Sequence, residues 1–498
     1  MKKTLGVVCG LAVAVAAVCT AGAWYTGKQL PGVLEHATAQ SNLQMQKSFK
    51  GLGATARLEL VSLEQHLFSS VARYRFTVQN LELGDEPSNL ELTLVDRIEH
   101  GPFPWQRVKA FKLMPVMAAS STSIEKDATT AEWYAASGDV SPVQGEFSLG
   151  YDQSYDGTLR LMPLDIAKDG SSVKFSGFDL GMSGDFEGKR LKLDGSMGTL
   201  QVSMVDSETP PLKFDLKGLK LVADLTLTPY DFYEGQADVT LDDSAFTFGD
   251  RQVPLTVKGV EQRNTYKVNG DKVDARAAYK VDAITYDGKA VGGGQLVVAV
   301  NRFDIPALQA IMAIYEKHMP QLQETAAAGQ PPELELNAEE QALMQVQMMQ
   351  LLAGKPQVAV EDLSFKTANG ESRFNLTLDL AKPTSADLPS DQLVRQMIEK
   401  LQSSLSLSKP MIGDLATLQA QFEGQTDAAI VSQQAAQAGE MVSMMAVQSQ
   451  MAKVEGNDIV TSLHYADGMV DFNGQKMTVE QFASVIMANA SAMQATGG

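Results

Sequence analysis

Histidine, carboxylate, cysteine and methionine are the side chains from which this chain of 498 residues could build a reactive or binding site. Its five histidines are His36, His66, His100, His318 and His464, and no two share an i, i+4 helix face or a His-x-Glu grouping. No zinc motif can be drawn from them, and a lone histidine is ordinarily a surface or satisfied residue. There is no Gly-x-Ser-x-Gly elbow to present a nucleophile and no glycine-rich loop opening a helix to cradle phosphate. Gly292-Gly293-Gly294 lies between strand-like segments and reads as a turn or bulge. Asp152, Ser154 and Asp156 before Gly157 copy the first half of a calcium loop. The twelfth position, which needs a bidentate Glu, is Pro163, and the flanks alternate as strands do, so a polar hairpin turn is the better account. The residues therefore point away from an enzyme and toward a protein with no cofactor and no metal.

Methionine is the more suggestive type. Of 23 methionines, Met344, Met348 and Met349 form one group and Met441, Met444, Met445 and Met451 another, both on helical stretches. Flexible thioethers suit surfaces that accept varied apolar shapes. Met344, Met348, Met441 and Met445 are accordingly the candidate lining of a pliable groove for an apolar molecule. Stripes at helical spacing are ordinarily core contacts between helices, and that is the competing reading.

Composition narrows the class. A formal net charge of −19 disfavours binding to nucleic-acid phosphates. The hydrophobic fraction of 44% is that of folded protein. Both cysteines, Cys9 and Cys19, lie in one N-terminal apolar run, which leaves the remainder without disulfides or thiolate metal sites.

That run, Leu5 to Tyr25, is 21 residues without a charge, and about 20 suffice to cross a bilayer as a helix. Leu5, Leu11, Val15, Trp24 and Tyr25 mark it as a membrane anchor, with Trp24 and Tyr25 at the headgroup boundary and Lys2 and Lys3 on the cytoplasmic side. A cleaved signal ending near Ala21-Gly22-Ala23 is the alternative, and either reading exports the body.

Beyond the anchor, residues 32–47 can form an amphipathic helix, after which apolar residues recur every second position, as in half-buried antiparallel strands. Leu58 and Leu60, then Tyr74, Phe76 and Val78, then Leu90, Leu92 and Leu94 show it. His100-Gly101-Pro102-Phe103-Pro104-Trp105 interrupts them with a rigid knuckle, expected to be a corner that packs Phe103 and Trp105 into the core, or else a binding tip. Strands are expected at Val173 to Leu180, Leu191 to Asp194, Leu219 to Leu227, Ala237 to Leu241, Tyr279 to Tyr286 and Gln295 to Val300. Asp156-Gly157, Asp169-Gly170, Asp194-Gly195, Asn269-Gly270 and Asp287-Gly288 are read as tight turns.

The period then becomes 3.6. Asp304 is a plausible N-cap for a first helix, Ala338 to Ala353 is a second, a third opens at Ser390 and runs through Leu401, and Asp427 to Val454 is a long fourth. Hairpins are expected about Asn369-Gly370 and Asp467-Gly468, and Thr478 with Gln481 has capping-box spacing for a last helix.

The fold expected is α+β: an N-terminal transmembrane helix (1–27), a long antiparallel β-meander forming an extended or curved sheet (28–302), and a mixed region (303–498). In that last part amphipathic helices pack on the sheet and late hairpins continue it.

Gly22-Ala23-Trp24-Tyr25-Thr26-Gly27-Lys28, His100-Gly101-Pro102-Phe103-Pro104, and Tyr465-Ala466-Asp467-Gly468 leading to Asn473-Gly474-Gln475-Lys476-Met477 resemble the YdgA family of Gram-negative bacteria. The similarity of order covers nearly the whole chain. It departs at Glu64 to Ser70, where the family tends to place a Gly ahead of Phe-Ser-Ser and this chain has Leu67. The resemblance implies a single-pass protein of the bacterial inner membrane with its body in the periplasm, and no reaction, since the family's function is unknown. The expectation is then a non-enzymatic envelope protein that meets the inner-membrane bilayer and has a structural or interaction role with a protein partner or itself. The alternative is binding or guiding of a lipid.

Overall fold

The computed structural model describes residues 23, 25–39, 41–43, 45–46, 54–82, 87–185, 187–205, 210–249, 251–327 and 334–496. Leu5, Leu11, Val15 and Trp24 lie outside these, so the anchor proper is not described. Among the described residues no helix is long and apolar enough to cross a membrane. The chain divides into two compact units, Met1–Thr226 with Phe248–Asp250, and Leu227–Thr247 with Arg251–Gly498. The expected boundary near residue 302 falls within the second.

The first unit begins with a helix over residues 25–39 (α1), whose Leu30 and Leu34, one turn apart, present a single apolar stripe. Strands β1 (Thr55–Gln65), β2 (Ser69–Glu82), β3 (Pro87–His100), β4 (Ala118–Ile124), β5 (Val143–Leu149) and β6 (Ser154–Leu161) pair antiparallel in succession. Helices α2 (Trp105–Lys109) and α3 (Ala131–Ala136) interrupt the connections on either side of β4. Then β7 (Leu164–Lys168) and β8 (Ser171–Phe175) form a hairpin, β9 (Phe178–Asp185) returns beside β6, and β10 (Arg190–Met204) pairs with both β8 and β9 and with β11 (Leu212–Leu227).

The strand expected over Val173 to Leu180 is thus two. Ser176-Gly177 breaks it because Gly177 has φ +94, and a Cβ there would lie 2.8 Å from the Leu161 carbonyl oxygen. Two of the expected Asp-Gly turns are also corrected. Asp156-Gly157 lies inside β6 and Asp194-Gly195 inside β10. Their glycines make room for rings on the neighbouring strands, since a Cβ would fall 2.2 Å from Cδ1 of Phe147 at Gly157 and 2.9 Å from Cζ of Phe178 at Gly195. Asp169-Gly170 and Asp287-Gly288 are turns with positive φ at both residues.

In the second unit β12 (Tyr233–Phe248) and β13 (Val253–Asn269) precede an antiparallel series from β13 through β14 (Lys272–Tyr286) and β15 (Lys289–Asp304) to β16 (Gln357–Lys366) and β17 (Glu371–Leu380). It continues through β18 (Ile398–Ser408) and β20 (Asp458–Ala466) to β21 (Met469–Phe472) and β22 (Gln475–Thr478), with the short β19 (Lys453–Glu455) also on β20. Gly292 sits at a register irregularity of the β14–β15 pair, which makes a bulge of the turn or bulge expected of that triplet.

Helix α4 (Ile305–Ala327) packs on α5 (Ala338–Ala353), and both touch β15, while α7 (Lys409–Phe422) packs on α8 (Ala428–Gln448). Asp304 does cap α4, its carboxylate accepting from Ala307 N at 3.0 Å. Asn337 and Glu340 close a capping box on α5, and Thr478 and Gln481 bond reciprocally at the start of α9 (Val479–Thr496).

The third expected helix is corrected. α6 covers only Ser390–Met397, and Ile398 onward is β18. Ile398 and Leu401 suit either period, but Leu401, Ser403, Leu405 and Leu407 alternate with Gln402, Ser404 and Ser406, and β17 and β20 each pair with that stretch. The fourth helix ends at Gln448, short of the expected Val454, which lies in β19.

Candidate functional site

Cross-strand partners share a sheet face and alternate residues along a strand take opposite faces. Following the register of the first unit, Ser70, Ile98, Ser120, Phe147, Gly157, Met182, Leu193 and Ala223 form one row. Leu63, Ala72, Asp96, Thr122, Gly145, Leu159, Leu180, Gly195 and Leu221 form the next on the same face. Between them on the other face stand Ser121, Glu146, Thr158, Gly181, Asp194 and Val222, with Lys192 and Asp224 paired one step beyond. One face is apolar from β1 to β11 and its reverse is charged.

What covers the apolar face changes along it. At β1 to β4, α1 lies on it, and Leu30 packs with buried Ala72 and Ile98 and with Leu60, Leu63, Tyr74 and Ala118. From β5 to β11 Phe147, Leu159, Leu180, Met182, Leu193 and Leu221 on it are half-buried among the described residues, while Met197 and Ala223 are buried. α2 lies over the reverse face and α3 meets β7. Burial of apolar area is what makes such a face stable, at about 25 cal/mol per Å2, so an apolar row left half-open is an unfinished contact.

The covered end holds three polar groups, of which Tyr74 and His100 stand out in the sequence without a shared role and Asp96 does not stand out at all. Asp96 is buried on the apolar face, and burial pushes its carboxyl above the usual range although Thr122 Oγ1 donates to it at 2.8 Å. Burial, with Asp96 nearby, also raises the phenol of Tyr74. His100 is buried with Nε2 2.9 Å from Ser70 Oγ and Nδ1 3.1 Å from the Leu67 carbonyl. Because that carbonyl can only accept, Nδ1 carries the proton and the Ser70 hydroxyl donates to Nε2. Burial holds the imidazole below its ordinary pKa, hence neutral. Extending the alternation Leu90, Leu92, Leu94 by three steps would have placed Asp96, Ile98 and His100 on this face.

The knuckle after His100 is a fixed corner, as expected, with Pro104 fully buried, but Phe103 and Trp105 point outward and stand exposed. The expectation that they pack into the core is thereby corrected. Pro104, which stands between them, takes the buried position, so the residues on either side of it face outward. On the reverse face α2 roofs an open cavity of about 460 Å3, where Arg107 donates to Ser148 Oγ at 2.7 Å and lies 3.8 Å from Asp156. Its lining mixes both signs of charge and assembles no nucleophile with a base.

The methionines are distributed between two helix pairs of the second unit. Met344 packs into the α4–α5 cluster of Ala307, Ile311 and Leu351, and Met348 is exposed a turn further on. Met441 and Met445 are exposed on α8, beside Met444. The four do not line a common cavity among those seen in the described residues. Lys317 and His318 of α4 both engage Glu340 of α5, at 2.5 and 3.1 Å, which lowers its carboxyl to about 2. Asp152 accepts from Ser154 in its own turn, and no group of three metal-binding side chains is gathered among the described residues.

The chain is an antiparallel β-meander protein of α+β class with one face half-open among the described residues. It belongs to the family described as bacterial protein of unknown function, DUF945, whose model matches residues 1–480. It is 26% identical over 494 residues to Protein YdgA of Escherichia coli K12, covering 97% of each chain. It is 22% identical over 485 residues to the uncharacterized protein YihF of the same organism, covering 95% of this chain and 97% of that one. An uncharacterized protein of Haemophilus influenzae is 23% identical over 330 residues, 63% of this chain and 86% of its own. No solved structure matches.

Proposed function

We propose that this protein is a membrane-anchored envelope protein whose extracytoplasmic body binds or guides an apolar chain, such as a lipid acyl chain, along the open face of β5 to β11. The observation that carries the reading is the half-burial of Phe147, Leu159, Leu180, Met182, Leu193 and Leu221 on one face backed by a charged reverse. Contiguous open apolar surface is a mark of an interaction site, and a strip between strand rows suits a flexible hydrocarbon better than a polar metabolite. Glycines at 145, 157 and 195 let Phe147 and Phe178 lie along the sheet, which keeps the strip shallow and smooth. No catalytic role is part of the proposal. The test is site-specific photocrosslinking in intact cells with a benzophenone amino acid at position 193 or 192. Lipid adducts at 193 and none at 192 are expected; equal labelling, or none at 193, overturns the reading.

A second reading, association with a protein partner or another copy, is favoured by the exposed row Met441, Met444, Met445 and Val447 on α8. Crosslinkers at those positions should then trap one reproducible protein species.

A further inference from the structure

At one end of the first unit three segments converge on His100. The turn 66–68 is held by the Phe68 carbonyl, which accepts from His100 N at 2.9 Å, and by the Leu67 carbonyl on the ring. The connection 101–117 is held by Gly101 N donating to Met117 O at 2.7 Å and Val116 N donating to Pro102 O at 3.0 Å. The start of α1 is held by Thr26 Oγ1 donating to Met117 O at 3.1 Å and by Gln65 Nε2 donating to Gly27 O at 2.8 Å. So braced, this rim points its large apolar side chains outward. Leu67, Phe68 and Phe103 are about half exposed, Trp105 is 62%, Met114 76% and Phe111 88% exposed.

We infer that this rim rests in the headgroup layer of an anionic lipid bilayer, with Phe68, Phe103, Trp105, Phe111 and Met114 inserted and Lys109 and Lys112 facing lipid phosphates. Three features of the chain select that occupant. The uncharged run Leu5 to Tyr25 leads directly into the rim, where Ala23 is fully buried and Tyr25 is exposed. A run long enough to span a bilayer must leave it at the headgroups, so the surface surrounding its exit meets them too. Residues 101–117 carry three cations and no acid within a chain of net charge −19, a local sign that complements anionic lipid. The aromatic and basic side chains are interleaved, with Lys109 Nζ 5.6 Å from the Trp105 ring centroid, as in segments that lie at membrane interfaces. The inference is independent of what the open face of β5 to β11 holds.

The full chain, reconstituted in vesicles of phosphatidylethanolamine and phosphatidylglycerol, provides the test. Trp105 is isolated by Trp24→Phe with Trp133→Phe, and Trp133 on α3, at the opposite ends of β4 and β5, by Trp24→Phe with Trp105→Phe. Lipids brominated on the upper acyl chain should quench Trp105 at least threefold more than Trp133. The pair Lys109→Glu and Lys112→Glu should reduce that quenching. Equal quenching of the two tryptophans overturns the inference. So does shielding of Trp105 from aqueous quencher that persists in detergent and grows with protein concentration, which would assign the rim to a second copy.

Discussion

His100 Nε2 and Ser70 Oγ meet at 2.9 Å across β2 and β3, and Gly27 of α1 lies so close above the ring that a Cβ there would stand 3.0 Å from its Cε1. A single imidazole thus ties the first helix to the sheet and to the turn before β2. Burial keeps the ring neutral, and in that state Nε2 accepts from the Ser70 hydroxyl.

The pH dependence follows from that state. The folded pKa of His100 is lowered by burial, so the unfolded chain takes up the proton first. The His100 contribution to stability is complete above the ordinary histidine value of about 6.5 and is lost as pH falls below it toward the folded value. Thermal melts between pH 7.5 and 5 should show this loss. His100→Ala should remove it and cost about 2 kcal/mol at pH 7.5 by leaving Ser70 unpaired.

Gly101 tolerates no side chain. A Cβ would lie 1.8 Å from the Val116 carbonyl oxygen and 2.8 Å from that of Met117, both backbone atoms that cannot swing aside. Gly101→Ala should destabilise the first unit by about 3 kcal/mol, whereas Gly32→Ala, with open space around it, should leave the melting temperature unchanged or raised.

Glu340 governs the acid limit of the α4–α5 pair. Its carboxyl is lowered to about 2, first by the Lys317 bond and then by the Asn337 backbone N–H. Stability from this group is present above the unfolded carboxylate value of about 4.3 and is lost as pH falls through to about 2. Glu340→Gln should flatten that limb of an acid-unfolding curve followed by circular dichroism, and Asn337→Ala should cost about 1 kcal/mol through the lost cap.

The open face should accept charge at little structural cost. Leu193 is half-buried, so Leu193→Arg should lower stability by only about 1 kcal/mol while abolishing lipid adducts from a crosslinker at position 180. Met197, two alternations along and 7% exposed, belongs to the packed part of the same strand. Met197→Arg should cost about 3 kcal/mol or more. Comparable losses from the two substitutions would mean that the face is closed core.

Much of the fold was legible because strand and helix leave different periods. Residues 55–100 and 253–304 alternate, 338–353 does not, and Asp304 and Thr478 cap the helices their spacing announces. Failures came where one pattern fits two outcomes. Ile398 and Leu401 satisfy a helix, but β17 and β20 recruit them as a strand. Asp156-Gly157 and Asp194-Gly195 look like turns, but their glycines serve rings that lie on neighbouring strands.

The sequence by itself determined a β-meander with peripheral helices, an uncharged run of bilayer length, and the absence of any spaced catalytic or metal motif. These depend on residue type and local spacing, and local spacing is written in the chain. Only the tertiary structure decided that α1 seals the apolar face at β1 to β4 and leaves it half-open beyond, and that Phe103 and Trp105 face outward. Which side of a strand is covered depends on partners far along the chain, and no local period records them.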